Sequence, residues 1–310
     1  MTDSDDAGTD PTGRQHLLRT SDGRVSAQVA QVGASLRALR VAGVDLVPPY
    51  PAGSPTPAAS GIVLAPWPNR VRDGVWTQRG VTRELALTER KFDNAAHGLL
   101  RFTSYEPVAA TAGELTLGAD IVPQTGYPFH LRTRVSYRLV PDGIVVAHEI
   151  VNLGGEDAPV ALGTHPYLML SAADTADLTL TSPGATRFVV DDRKLPVDEV
   201  PVDESTDLRE GRRVGDIEMD TAFGSLRRDE DGVARTTLTA PSGQTVTLWQ
   251  GAGFEYVQIF TTDRYPGQPL AIAVEPMTAP ADALNSGRSL RWLAPGEEWL
   301  LEWGITSGGL

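Results

Sequence analysis

The chain has 310 residues, with 40 acidic against 27 basic side chains, a formal charge of −13 and a pI near 4.8. That balance argues against nucleic acid or an anionic membrane surface as partner. The absence of cysteine excludes disulfides, thiolate metal sites and a cysteine nucleophile.

In chain order, Met1 to Thr12 is rich in Asp, Thr, Ser and Gly and has neither the basic start nor the apolar core of a signal sequence. Residues 1–14 are therefore expected to be a disordered acidic leader, residues 15–310 one domain, and the location cytoplasmic. No apolar run approaches the ~20 residues of a membrane span. Arg24 to Val29, Arg132 to Leu139, Thr236 to Thr239 and Thr245 to Trp249 alternate apolar and polar side chains, the pattern of half-buried strands. Turn signals at Ser21-Asp22-Gly23, Arg72-Asp73-Gly74, Pro141-Asp142-Gly143 and Pro241-Ser242-Gly243 are spaced for hairpins. Pro48 to Ser60 and Asp191 to Asp220 read as irregular excursions, the second holding a short charged helix over Thr206 to Val214. With 31 Gly, 23 Pro and no long stripe at helical spacing, the expected fold is all-β: a large antiparallel β-sandwich with few short helices.

The chemistry-bearing residues sit beside Gly and Pro or interrupt apolar runs. They are Asn69, Arg70, His97, His165, Tyr167, Asp220, Gln258 and Glu275. Glu275 ends Leu270-Ala271-Ile272-Ala273-Val274 and precedes Pro276, so its carboxylate leaves a strand inside apolar surroundings. Desolvation pushes such a group upward, toward the range of a general base at neutral pH. A strand-end carboxylate paired with an arginine explains the same placement, and each of the other residues has a structural role open to it; co-location is what decides. Gln258 interrupts Tyr256-Val257-Gln258-Ile259-Phe260, where a buried amide needs partners that a hydroxyl-rich ligand supplies. Trp67, Trp76 and Trp249 offer flat faces for sugar stacking, with core packing as the alternative. No ligand spacing for a metal, no Gly-rich phosphate loop and no Gly-x-Ser-x-Gly elbow is present, so no metal and no cofactor are expected. One carboxylate and one histidine on opposite sides of a small polar ligand suit proton shuttling without a covalent intermediate.

From about Gly33 to Ile305 the residues resemble the aldose 1-epimerase, or galactose mutarotase-like, family. The ordered motifs are Pro66-Trp67-Pro68-Asn69-Arg70-Val71, Ala96-His97-Gly98, Thr125-Gly126-Tyr127-Pro128-Phe129, Thr164-His165-Pro166-Tyr167, Met219-Asp220-Thr221-Ala222-Phe223, Val257-Gln258-Ile259-Phe260-Thr261, Val274-Glu275-Pro276 and Leu293-Ala294-Pro295-Gly296-Glu297. The resemblance implies a β-sandwich whose concave face holds a sugar. It implies Glu275 as general base on the anomeric hydroxyl and His165 as general acid on the ring oxygen. Arg70 and His97 match positions on the ring-oxygen side, and Asp220 and Gln258 match positions that hold hydroxyls; Asn69 and Tyr167 belong to the same binding set. A bell-shaped pH profile follows, with Glu275 on the acid limb and His165 on the alkaline limb. The implied partner is a small-molecule sugar, and the implied assembly a monomer or homodimer.

Two departures bear on specificity. Leu168 and Met169 follow Tyr167 where many galactose-type members carry an aromatic residue and Asn, and Ala65-Pro66-Trp67-Pro68 replaces a Gly/Arg-rich run. Three other readings compete. A hexose-6-phosphate epimerase would need basic residues at the sugar's far end, for which Arg72 and Arg101 are the candidates. A non-catalytic sugar-binding domain would bind without turnover. A glycoside hydrolase would use Asp220 and Glu275 as facing carboxylates.

Overall fold

The computed structural model describes residues 10–310. Alternation in sequence becomes alternation in burial. Along Leu131–Val140 the side chains of Leu131, Thr133, Val135 and Tyr137 are buried, whereas Arg132 and Arg138 are exposed. The Pro141-Asp142-Gly143 turn then closes a ladder in which Val140 stands opposite Gly143 and Leu131 opposite Asn152. The Ser21-Asp22-Gly23 and Pro241-Ser242-Gly243 turns likewise join paired neighbours.

Two large antiparallel sheets carry the fold. The nine-stranded one runs, in spatial order, through 106–110, 114–121, 131–140, 143–152, 298–308, 245–250, 234–239, 179–181 and 212–213. The eight-stranded one runs through 196–201, 184–190, 220–226, 256–262, 271–277, 163–164 and 63–64, with 167–168 also paired to 271–277. Val135, Ile144, Leu248 and Ile305 of the first sheet share one apolar core with Phe223, Val257, Ile259 and Val274 of the second. A four-stranded meander over residues 15–47 packs its Val25, Val29, Leu36 and Leu39 into the same core. The protein is an antiparallel β-sandwich, and among the described residues one α-helical turn, Ala283–Ser286, accompanies three short 3-10 turns.

The strand Ala271–Met277 is buried at every position. It is covered on both faces, and so it reads in sequence as an unbroken apolar run rather than an alternation. A carboxylate in that strand has no route to bulk water along its own element.

Four expectations need adjustment. The strands flanking Arg72-Asp73-Gly74 do not pair with each other: Arg70–Arg72 pairs with Asn94–Ala96, and Val75–Gln78 with Val81–Glu84. The helix expected over Thr206 to Val214 is replaced by turns and the short strand Arg212–Arg213. There the Asp203 carboxylate accepts the N–H groups of Ser205 and Thr206 at 3.0 and 3.1 Å, and Asp207 accepts that of Arg209 at 3.0 Å. Such local side-chain bonds outcompete a helix. The excursion after Asp191 contains the strand Pro196–Pro201, which forms a hairpin with Gly184–Val190. Residues 1–9 of the acidic leader lie outside the described residues. Its remainder is tied down, since Asp10 pairs with the buried Arg37 at 3.3 Å and Thr12 is buried.

Candidate active site

Three adjacent strands of the eight-stranded sheet set the polar groups in a row. Glu275 stands directly opposite Gln258 across the 256–262 and 271–277 pair, and Asp220 opens the next strand, opposite Phe260. Gln258 Nε2 donates to Asp220 Oδ1 at 2.7 Å. Its carbonyl faces Asn69 Nδ2 at 3.5 Å.

The second group arrives from irregular backbone. His165 lies between the short strands Gly163–Thr164 and Tyr167–Leu168, which both pair with the Glu275 strand. Its Nε2 stands 3.3 Å from Glu275 Oε1. The imidazole stacks on Tyr167, with ring centroids 5.4 Å apart, and meets the edge of His97 at 5.8 Å. Asn69 and His97 both adopt left-handed backbone, at φ 51° and 63°, and the His97 N–H donates to the Asn69 carbonyl at 2.7 Å. Gly98 is required beside them: at φ +69°, a Cβ there would lie 2.1 Å from the Ala65 carbonyl oxygen. Arg70 follows Asn69 and is gripped by Glu89, Nε to Oε2 at 2.7 Å and Nη2 to Oε1 at 3.0 Å.

Burial dominates the electrostatics. Desolvation, reinforced by Asp220 and opposed by Arg70, holds the Glu275 carboxyl well above the usual carboxylate range. Desolvation also takes His165 down to about 4 and His97 well below an ordinary imidazole. Burial works against the Arg70 charge, but the Glu89 pair overrides it and the guanidinium is held more firmly protonated. Three polar atoms lie buried here without a hydrogen-bond partner, Glu275 Oε2, His97 Nδ1 and His165 Nδ1. Orphaned groups of this kind are costly in a folded protein, and a ligand that bonds to them removes the cost.

All eight residues singled out in the sequence surround this place, though not in equal roles. Arg70, Gln258 and Asp220 line the cleft, and the buried Glu275 and His165 form a cluster with His97 beside it. Asn69 is buried at the cleft beside Gln258. Tyr167 is fully buried beneath His165, with its hydroxyl 3.4 Å from the Ala58 carbonyl, so it supports the imidazole rather than facing the opening. His165 and Glu275 touch, where the sequence suggested opposite sides of a ligand. Trp67 and Trp76 belong to the core, and Trp249 lies on the other sheet.

Three residues of the site escaped sequence reasoning. Lys194 projects from the 191–195 turn to within 3.3 Å of Asp220 Oδ2. Phe188 supplies an apolar wall, and Glu89 holds Arg70. Arg72, a candidate for an anionic substituent, is engaged by Asp191 at 3.3 Å and lies 3.8 Å from Asp282. Asp220 and Glu275 are separated by the Gln258 strand, and Asp220 is bonded to Gln258 and Lys194, which disfavours a pair of carboxylates facing across one glycosidic bond. The cleft over Asn69, Arg70, Lys194, Asp220 and Gln258 measures about 20 Å³, room for about one water. A larger concavity of about 680 Å³ lies on the nine-stranded sheet around Arg134, Glu149 and Leu300, and contains none of these groups.

The sequence profile of aldose 1-epimerase matches residues 16–306. The chain belongs to the aldose 1-epimerase family. An uncharacterised protein of Escherichia coli strain K12, YihR, is 30% identical over 277 residues, covering 89% of this chain and 88% of that protein. Among solved structures, a GalM/aldose epimerase homologue from C. elegans superposes with a TM-score of 0.82 at 15% identity, covering 95% of this chain and 99% of that one. Galactose 1-epimerase from Lactobacillus acidophilus NCFM gives 0.78 at 17% identity, covering 95% and 98%. These structures share the aldose 1-epimerase fold with this chain, and the family makes the protein an isomerase of the epimerase or mutarotase kind.

Proposed function

We propose that the protein interconverts the α and β anomers of a free aldohexose by acid/base ring opening and reclosure. The observation that carries this reading is the 3.3 Å contact of His165 Nε2 with Glu275 Oε1, beside the unpartnered Glu275 Oε2. In a pyranose the anomeric hydroxyl and the ring oxygen are bonded to the same carbon. An acid and a base acting on both must therefore lie close together, as this pair does.

Burial drives both groups toward neutrality, and the touching pair titrates as a unit whose reactive form carries one proton. With that proton on His165, Glu275 takes the proton of the anomeric hydroxyl while His165 delivers its own to the ring oxygen. The bond from C1 to the ring oxygen breaks and the aldehyde forms. Rotation about C1–C2 presents the other carbonyl face, and reclosure with the roles reversed returns both protons. Arg70 and His97 steady the charge developing on the ring oxygen, and Asp220 with Gln258 holds hydroxyls farther along the ring. The reaction proceeds slowly in water without help, so positioned acid and base groups worth ~10²–10⁴-fold, together with orientation, suffice without metal or cofactor.

Polarimetry on freshly dissolved α-D-glucose and α-D-galactose, comparing wild type with Glu275→Gln, tests the reading. Acceleration that disappears in the variant supports it. No acceleration with either sugar or with hexose 6-phosphates overturns it in favour of a non-catalytic sugar-binding protein. A hexose 6-phosphate as substrate is the second reading, favoured by one observation: Lys194 stands at the Asp220 end of the row, away from Glu275.

A further inference from the structure

Three carboxylates surround Arg70, and only one of them bonds to it. Asp220 and Glu275 act on the guanidinium through space, whereas Glu89 takes two of its N–H groups in a fork at 2.7 and 3.0 Å. The third arm, Nη1, points at Asn69 Oδ1 at 3.5 Å, and the ring of Phe92 lies 5.7 Å from the guanidinium carbon. Glu89 is itself fixed. Its carbonyl accepts the N–H groups of Phe92 and Asn94, and its N–H donates to the Asn94 carbonyl at 3.0 Å. Asn94 then begins the strand Asn94–Ala96, which pairs with Arg70–Arg72 and leads into His97. One short segment thus supplies both the partner of Arg70 and the histidine beside His165.

A planar fork of this kind fixes both position and orientation, which a single contact does not. Arg70 and Glu89 are largely shielded, with side-chain exposures of 13% and 25%, so their interaction is less screened than that of a surface pair.

We propose that Glu89 is a positioning residue: its bidentate bond holds the Arg70 guanidinium beside the cleft and balances its charge, so that Arg70 does not collapse onto Glu275. The inference rests on reading Glu275 as the base. A guanidinium free to pair with Glu275 would favour the ionised carboxylate and make it a weaker base. Balanced by Glu89, Arg70 stays available for the charge that appears on the sugar's ring oxygen.

The charged and titratable groups around Glu275 are His165 and Tyr167 from its paired strands, Asp220 from the sheet and Arg70 from the neighbouring turn, with His97 behind His165 and Lys194 beyond Asp220. Those around Glu89 are Arg70 and Arg101, with Lys91 4.9 Å from the Phe92 ring. Removing the Glu89 charge leaves Arg70 as the nearest uncompensated cation.

The test is the titration of the Glu275 carboxyl carbon by NMR in protein labelled at glutamate, the signal being assigned with Glu275→Gln. Glu89→Gln should lower the Glu275 midpoint by about half a pH unit or more. Glu89→Asp, which keeps the charge, should leave it near the wild-type position. In an Arg70→Met background Glu89→Gln should have no effect, because the route through Arg70 is gone. An unmoved midpoint in Glu89→Gln, or an equal displacement in both backgrounds, overturns the proposal. Should Glu89→Gln fail to fold, Glu89→Ser carries the same expectation. Absence of mutarotation in the wild type would remove the reading of Glu275 as base, while the titration, which needs no turnover, would still decide whether Glu89 acts through Arg70.

Discussion

Gln258 donates its amide N–H to Asp220 at 2.7 Å, across the central strand pair of the eight-stranded sheet, and this bond orients the whole amide. With Nε2 committed to Asp220, the carbonyl is left toward Asn69. A sugar hydroxyl arriving here meets a carboxylate and an amide whose directions are already set. Asp220→Asn and Gln258→Leu should therefore raise KM about tenfold, equivalent to about 1.4 kcal/mol each, with kcat much less affected. Equal losses in kcat and kcat/KM would assign them instead to the chemical step.

Glu275→Gln keeps the shape of the side chain and removes the proton acceptor. Turnover should fall by ~10²–10⁴-fold while the thermal midpoint stays equal or rises, because a buried ionisable group has been replaced by a neutral one. Paired polarimetry and thermal unfolding measure both. A large drop in midpoint would mean that the carboxylate serves the fold instead.

The pH dependence of kcat/KM should be bell-shaped, with its limbs in the reverse of the order the sequence suggested. Burial takes His165 down to about 4 and Glu275 upward. Activity is then lost on the acid side as the pair gains a second proton near pH 4, and on the alkaline side as Glu275 gives up the last one. His165→Asn should abolish the bell together with most of the rate. A flat profile from pH 4 to 9 would count against the pair.

Lys194→Met tests what the rim lysine recognises. Its bridge to Asp220 is partly exposed, at 37% and 26%, and such pairs contribute roughly 0–1 kcal/mol. For a neutral hexose KM should change by less than about fivefold. A far larger loss confined to hexose 6-phosphates would identify the phosphorylated sugar as substrate.

His148 should make the fold acid-sensitive. It is buried, accepts the Trp303 indole N–H at 2.9 Å and is pushed down to about 3 by desolvation. The unfolded chain, with an ordinary imidazole, binds the extra proton first, so this residue's stabilisation is complete above about pH 6.5 and falls as pH drops toward 3. The loss between pH 7 and 4 is on the order of 3 kcal/mol. His148→Gln, which still accepts from Trp303 but does not titrate, should move acid unfolding to lower pH.

Much of this was legible because strands write their burial into sequence. The alternation at Arg132 to Leu139 and the unbroken run before Glu275 each announced how many faces of a strand are covered. Gln258 and Glu275 were visible as polar breaks in apolar runs, and they prove to be direct cross-strand neighbours. Lys194 and Glu89 were hidden for the opposite reason. Each stands among charged, turn-forming residues, where one more charge carries no signal, and each is brought to the site by a turn whose partner is remote in sequence. The contact between His165 and Glu275 was out of reach as well, since it depends on two very short strands flanking a histidine.

The strand Glu298–Gly308 lies in the interior of the nine-stranded sheet, between Gly143–Asn152 and Thr245–Gln250. Its two neighbours leave the ribosome long before it does, and neither can pair correctly on that side until it arrives. Half-built, the sheet presents two unsatisfied edges that are prone to pairing with other chains. Completion of the nine-stranded sheet is thus a late event in the life of each molecule, and the nascent chain depends on speed of closure, or on a chaperone, to reach it.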